Sequence, residues 1–275
     1  MATTGESGAG AAGPQAAALH HEDVGAGPPV VLVHGWSLSS AVFDEEAAAL
    51  ARLHRVVAPD LRGHGRSGGG SFVLADLARD LAALLDRLGL EGAVLAGWSL
   101  GAQVALAALP LVRSRLRALV LVSGTPRFTA GEGWTDGLSA KSVEVLAHRV
   151  RRDPARALGR FFDGMFAEGE LGEAGLRRAA ALRARIPFPG PAAAQAGLDV
   201  LAREDLRAAL SRVDLPTLVL HGEADPICPV GAARAIAGAV PNARLEIVAG
   251  AGHAPFLSRP GTLARALASV VEARA

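Results

Sequence analysis

The sequence has no tyrosine, two methionines and a single cysteine, Cys228. One cysteine excludes an intramolecular disulfide framework and any cluster of several cysteines around a metal. An excess of charge is lacking as well, since 28 Lys and Arg residues face 27 Asp and Glu, a formal net charge of +1. A nucleic-acid-binding domain normally carries a strongly basic face, so this balance removes the electrostatic case for one. Lys141 is the only lysine. Together with the abundance of Ala and Gly, that reads as compositional bias without functional meaning. Global disorder is excluded in turn, because half of the 275 residues are apolar and a fifth are charged.

A targeting signature is missing too. Residues 1–17 are rich in small residues and have neither a basic n-region nor an apolar h-region, so a disordered N-terminal tail is expected rather than a secretory signal. Without a signal or cysteine pairs, a reducing cytoplasm is the expected compartment. One uncharged stretch, Ala93–Val112, has the length of a membrane span. Its punctuation speaks for a soluble element instead. The apolar run Val94-Leu95-Ala96 is short, Gly97 and Gly101 bracket Trp98-Ser99-Leu100, and Pro110 is expected to end the helical stretch. A buried strand, a tight turn and a buried helix are the expected reading, with no membrane association.

What is present is an alternation of strand and helix signals, the pattern of an α/β protein with a mostly parallel sheet. Strands are expected at Val30–Val33, Arg55–Pro59, 93–97, Leu116–Ser123, Thr217–His221 and Leu245–Val248. Helices are expected at Phe43–Leu53, Leu74–Leu88, 100–109, from about Gly197 to Leu210, at Val230–Ala239 and from Thr262 onward. The helix Leu74–Leu88 shows the clearest amphipathic stripe, with Leu77, Leu81, Leu84, Leu85 and Leu88 on one face. The rhythm breaks over residues 124–191, which are arginine-rich and end in Pro187-Phe188-Pro189-Gly190-Pro191. Such an interruption reads as a helical lid inserted into a core formed by 18–123 and 192–275, lying over the carboxyl ends of the strands where ligands bind.

Gly97-Trp98-Ser99-Leu100-Gly101 matches G-x-S-x-G between an expected strand and an expected helix. In that setting a strained turn projects the serine above the sheet, and the helix N-terminus offers free N–H groups to a developing oxyanion. A serine hydroxyl needs a base. Of eight histidines, His253 in Gly250-Ala251-Gly252-His253-Ala254-Pro255-Phe256 follows the last strand on a glycine-bearing loop and fits the chain order serine, acid, histidine. His34, His64 and His221 stand at strand ends and are expected to make structural hydrogen bonds; His20, His21, His54 and His148 are expected on the surface. The acid should follow a late strand. His221-Gly222-Glu223-Ala224-Asp225-Pro226 offers two carboxylates, of which Asp225 is preferred because the following proline holds it in a defined turn. Glu223 stays open. Leu100 and Trp36 are the expected backbone donors of an oxyanion hole, the second from the loop after the first buried strand. The Trp36 side chain either lines an acyl pocket or packs in the core.

With these residues in hand, the chain resembles the α/β-hydrolases over about residues 18–275. Within them it is most similar to the pimeloyl-[acyl-carrier protein] methyl ester esterases of biotin synthesis. The likeness rests on Val33-His34-Gly35-Trp36, the Trp-bearing elbow 97–101, Arg160-Phe161-Phe162, Gly197-Leu198-Asp199-Val200-Leu201, Asp205-Leu206-Arg207 and His253-Ala254-Pro255-Phe256. It implies Ser99, Asp225 and His253 as a catalytic triad, and substrate contacts from Trp36, Ser99, Leu100, Phe161 and His253. Met165 stands where the family can place a glutamine, and Ala102 where a second glycine often follows the elbow. The resemblance implies a serine carboxylesterase that releases methanol from the pimeloyl-carrier ester and needs no metal or organic cofactor. A small-ester carboxylesterase or enol-lactone hydrolase of the same fold stays open, as does a binding protein without turnover. Dehalogenases and epoxide hydrolases are disfavoured, since they need an aspartate where Ser99 stands. From Lys141 to Gly190 there are ten Lys and Arg residues against six acidic ones, and Arg149, Arg152, Arg156 and Arg160 recur at helical spacing. An acidic acyl-carrier protein is the partner this face would suit, on an enzyme expected to be a monomer.

Overall fold

A computed structural model describes residues 16–272. The expected tail falls mostly outside the described residues. Ala17 is already anchored, its N–H donating to Asp80 Oδ1 at 2.6 Å. Seven strands form one sheet: β1 (His21–Val24), β2 (Pro29–Val33), β3 (Arg55–Pro59), β4 (Ala93–Trp98), β5 (Leu116–Val122), β6 (Thr217–Gly222) and β7 (Ala243–Val248). Their spatial order is β1-β3-β2-β4-β5-β6-β7. All pairings are parallel except β1 with β3, which is antiparallel. The interior strands β2, β4, β5 and β6 are nearly continuous apolar runs because helices cover both faces, as parallel sheets require.

The helices are α1 (Asp44–Leu50), α2 (Leu74–Arg87), α3 (Leu100–Val112), α4 (Ala140–Arg152), α5 (Pro154–Asp163), α6 (Glu173–Arg185), α7 (Pro191–Arg203), α8 (Arg207–Leu210), α9 (Val230–Ala239), α10 (Pro255–Ser258) and α11 (Thr262–Glu272). The stripe of α2 packs as its period requires, with Leu77, Leu81, Leu84 and Leu85 fully buried. The buried carboxylate of Glu46 on α1 accepts N–H groups from Gly261 at 2.7 Å and Ala264 at 2.8 Å, and so satisfies orphan donors at the start of α11. The uncharged stretch 93–112 is β4, a turn and α3. No described helix is long and apolar enough to cross a membrane.

Four local expectations are corrected. Pro110 does not end α3, which runs on to Val112. In the last turn a proline forfeits only one bond, and burial of Val112 holds the continuation. The expected helix ending at Leu210 is two, because Asp205 turns out of helical pairing to bridge Arg127. His54 is buried rather than on the surface, closed in by the turn at Gly25 and Gly27. The short polar strand β1 carries no apolar pattern and was not expected from the sequence.

Between β5 and β6 the chain leaves the sheet for α4, α5, α6 and α7. Asp153 and Pro154 separate α4 from α5: the Asp153 side chain accepts the Arg156 N–H at 3.1 Å, and Pro154 opens the new helix.

Candidate active site

β4 ends at Trp98 and α3 starts at Leu100, so Ser99 alone makes the turn. It sits at φ 56° and ψ −118°, a strained conformation for a residue with a side chain. Both flanking glycines are needed for close approach. A Cβ on Gly97 would collide with the Gly101 carbonyl, and one on Gly101 with the Val33 carbonyl on β2. Leu100 is the first residue of α3, where backbone N–H groups have no partner within the helix. The loop after β2 lies directly against this turn: a Cβ on Gly35 would stand 3.1 Å from the Ser99 Cβ. Trp36 follows on that loop.

His253 Nδ1 is 2.8 Å from Asp225 Oδ2, and both side chains are fully buried. Asp225 Oδ1 accepts the N–H groups of Ile227 at 2.8 Å and Cys228 at 2.9 Å, an Asx turn that fixes the carboxylate. His221 Nε2 stands 3.3 Å from Oδ2 and 2.8 Å from the Cys228 carbonyl. A carbonyl only accepts, so His221 Nε2 bears the proton and also points it toward the carboxylate. Burial pushes the Asp225 carboxyl up, but His253 and His221 beside it outweigh that and hold it well below the usual carboxylate range. The same burial, with Asp225 adjacent, pushes the Cys228 thiol up, so it stays protonated. His253 Nε2 is left buried without a protein partner. Glu223, the alternative acid, is turned away; its Oε2 accepts the Gly250 N–H at 3.0 Å.

The Ser99 turn and the His253 loop are joined through the last residue of β4. The Trp98 indole N–H donates to the His253 carbonyl at 2.8 Å, and its ring packs edge-on against Phe256. The sequence displayed Trp98 but carried no signal for which carbonyl it would reach. The contact of His221 with the Asp225 carboxylate was likewise missed; only its structural hydrogen bonding was expected. His34 and His64 do make such bonds. His34 contacts the Gly35 carbonyl through Nδ1 at 2.7 Å and accepts the Leu61 N–H through Nε2 at 2.9 Å, and His64 Nδ1 contacts the Arg62 carbonyl at 3.0 Å.

Trp36 is buried and tied to α7, its indole N–H donating to the Ala194 carbonyl at 2.9 Å. Phe161 of α5 meets its ring edge-on, 4.8 Å between centroids. Of the two readings of Trp36, its burial and these contacts are those of a core residue. Met165 is buried, and its carbonyl accepts the His253 N–H at 2.7 Å. Arg149, Arg152, Arg156 and Arg160 do not lie on one helix, since the break at Asp153 divides them between α4 and α5. They still line one surface depression of about 330 Å³ together with Asp153. All four are exposed, and among the described residues none forms an ion pair.

An alpha/beta hydrolase fold family matches residues 28–260. A pimeloyl-[acyl-carrier protein] methyl ester esterase from Nitrosomonas europaea is 37% identical over 246 residues, covering 89% of this chain and 96% of the relative. One from Xanthomonas campestris pv. campestris is 35% identical over 259 residues, covering 93% and 99%. Among solved structures, an esterase from Exiguobacterium antarcticum superposes with a TM-score of 0.85 at 27% identity, covering 92% of this chain and 95% of that one. On sheet order, elbow and relatives alike, the chain belongs to the α/β-hydrolase superfamily and, within it, to the family of pimeloyl-[acyl-carrier protein] methyl ester esterases.

Proposed function

We propose that the protein is a serine carboxylesterase that hydrolyses the methyl ester of pimeloyl-[acyl-carrier protein] to the free acid and methanol. The observation that carries the reading is the Asp225–His253 bond, which engages Nδ1 and leaves His253 Nε2 buried without a partner. Nδ1 keeps its proton on Asp225, so Nε2 is the basic nitrogen. It removes the Ser99 proton as Oγ attacks the ester carbonyl. The N–H groups of Trp36 and Leu100 receive the oxyanion. His253 then protonates the departing methoxide, which leaves as methanol. Water, deprotonated by the same nitrogen, attacks the acyl-enzyme, and Ser99 departs with the proton from His253. Asp225, held ionised, stabilises the imidazolium in both halves.

Residues 124–191 serve as the lid, and Phe161 and Met165 as acyl-chain contacts. The support is the position of Phe161 on Trp36 and of the Met165 carbonyl on His253. Where Met165 replaces a polar side chain, the acyl wall here is apolar. The exposed arginines 149, 152, 156 and 160 form the face offered to an acidic carrier protein. A monomer working in the cytoplasm goes with this reading, open to test by sizing and fractionation. The decisive experiment is complementation: the gene should restore growth without biotin to a strain lacking its own pimeloyl-carrier esterase, and the Ser99→Ala form should not. Hydrolysis of p-nitrophenyl esters without complementation would leave a small-ester esterase. Neither activity would leave a binding protein.

A further inference from the structure

The loop that carries His253 is gripped from both sides, and one grip belongs to the insertion. From the core, the Trp98 indole holds the His253 carbonyl. From the insertion, the Met165 carbonyl accepts the His253 N–H at 2.7 Å. Beside it, Oε2 of Glu170 accepts two N–H groups, that of Gly252 at 2.9 Å and that of Ala167 at 2.7 Å. A single carboxylate oxygen therefore closes the turn 167–170 and fastens it to the residue preceding His253. The two backbones touch. A Cβ added at Gly252 would come within 2.8 Å of both the Ala167 nitrogen and Glu170 Oε2. The other oxygen, Oε1, is buried without a partner.

A general base must stand within hydrogen-bond reach of the proton it takes, and a displacement of about 1 Å can cost about 10²-fold in rate. Two of the three bonds to the backbone of Gly252 and His253 come from the insertion. The core holds the ring through Asp225 and the preceding residues through Glu223 and Ala224, so lifting the insertion loosens the backbone at the base. We propose that Glu170 is a positioning residue for His253, clasping Met165–Glu170 to the histidine loop so that the base is in place only while the insertion is docked. The proposal rests on His253 being the base. It gives the enzyme a built-in order of events. Substrate enters with the clasp open, and chemistry waits until it closes, as in other enzymes whose lids complete the catalytic constellation.

Because one oxygen makes both bonds, a glutamine can put its carbonyl oxygen where Oε2 stands. Glu170→Gln therefore separates the bonds from the charge. The test is kcat and KM for a short p-nitrophenyl ester, with thermal melts, for the wild type, Glu170→Ala, Glu170→Gln and His253→Ala. Glu170→Ala should lose about 10²-fold in kcat with KM within about twofold, and Glu170→Gln should recover most of that loss. Full kcat in Glu170→Ala beside an inactive His253→Ala would overturn the clasp and leave the base standing. An active His253→Ala would overturn the base, and the clasp with it. A glutamine variant as slow as the alanine one would put the effect in the charge, and a change confined to KM would put it in substrate binding; either overturns the proposal. If Glu170→Ala melts below the assay temperature, Glu170→Asp, too short to reach both N–H groups, is measured against the same criteria.

Discussion

The carboxyl edge of the sheet and the helical insertion over it are built on opposite principles. At the sheet edge the backbone is strained and locked. The only described non-glycine residues with positive φ are Ser37, Ser99 and Ser123, which lie just past β2, β4 and β5. Each such conformation costs on the order of 1–3 kcal/mol and persists only where packing over-determines it. Buried hydrogen bonds do so here: Ser99 N–H to the Val122 carbonyl at 3.0 Å, and Ser123 N–H to the Leu220 carbonyl at 2.8 Å. In the insertion, α6 buries none of its residues and is tied down by exposed ion pairs, Arg185 with Asp44 and Arg183 with Asp163. Exposed pairs of this kind are worth about 0–1 kcal/mol each. Strain is thus kept at the turn that carries Ser99, and weak attachment at α6, while α4 and α5 bury Val143, Val150, Ala157, Leu158 and Phe162. The two meet in one continuous core and, at its rim, at the backbone of His253.

The hardest blow to the rigid side is removal of the nucleophile. Ser99→Ala should lower kcat by about 10⁶ with the fold unchanged, because the remaining groups cannot form an acyl-enzyme. Near-wild-type turnover by the purified variant would dismantle the triad. Asp225→Asn comes next, at about 10⁴ in kcat, since an amide no longer selects the Nδ1–H tautomer of His253. Glu223→Gln, measured beside it, should cost little, because Glu223 holds only the Gly250 N–H.

Most of this edge was legible in the sequence, and the reasons are local. A G-x-S-x-G between a strand and a helix dictates a turn that only flanking glycines permit. An Asp before proline favours a defined turn, here an Asx turn, and chain order singles out His253 as the candidate base. What escaped reading depends on partners distant in sequence. Trp98 reaches His253 155 residues away, Gly252 reaches Glu170 82 residues away, and His54 is buried by a turn some 30 residues earlier. Nothing in Glu168-Gly169-Glu170 marks one glutamate as a clasp and the other as solvated. Pro110 misled because propensity weighs a proline the same in any turn, whereas the last turn of a buried helix tolerates it. The four-arginine face was legible as a spacing, yet the helix break beneath it was not.

A smaller effect tests how dry the edge is. His64 lies fully buried next to His34, with Asp60 nearby, and burial lowers its pKa from 6.5 to about 3. It is neutral in the folded protein but would protonate in the unfolded chain. Between pH 6.5 and about 3 the unfolded state therefore binds the extra proton, and stability falls as pH falls, by up to about 1.4 kcal/mol per pH unit. Denaturant unfolding of wild type and His64→Asn across that range should show the extra slope only in the wild type. Parallel slopes would mean that water reaches the ring. The packing of α7 against the sheet edge is tested by Gly197→Ala. The new Cβ would stand 2.5 Å from the Trp36 Cδ1. Overpacking should cost about 1–3 kcal/mol and, by shifting the loop that bears the Trp36 N–H, lower kcat as well. A variant with unchanged melting and turnover would show that α7 yields freely.

The smallest effect belongs to the loose side and should appear with one substrate only. Arg149, Arg152, Arg156 and Arg160 line a single depression, are exposed and have no ion-pair partner among the described residues. Unpaired exposed cations add nothing to the fold that their removal would cost, but they do set the field met by an approaching partner. Replacing all four with glutamine should leave melting and p-nitrophenyl butyrate turnover as they are. Turnover of the carrier-borne ester should slow by about tenfold in kcat/KM, because charge at the rim acts on encounter rather than on the chemical step. Salt should erase the difference, since the Debye length falls from about 10 Å at 0.1 M to about 3 Å at 1 M. Equal losses on both esters would mean that the arginines hold α4 and α5 in place. No loss on either would make them a solvated surface, and the insertion would then have to recognise its carrier by another face.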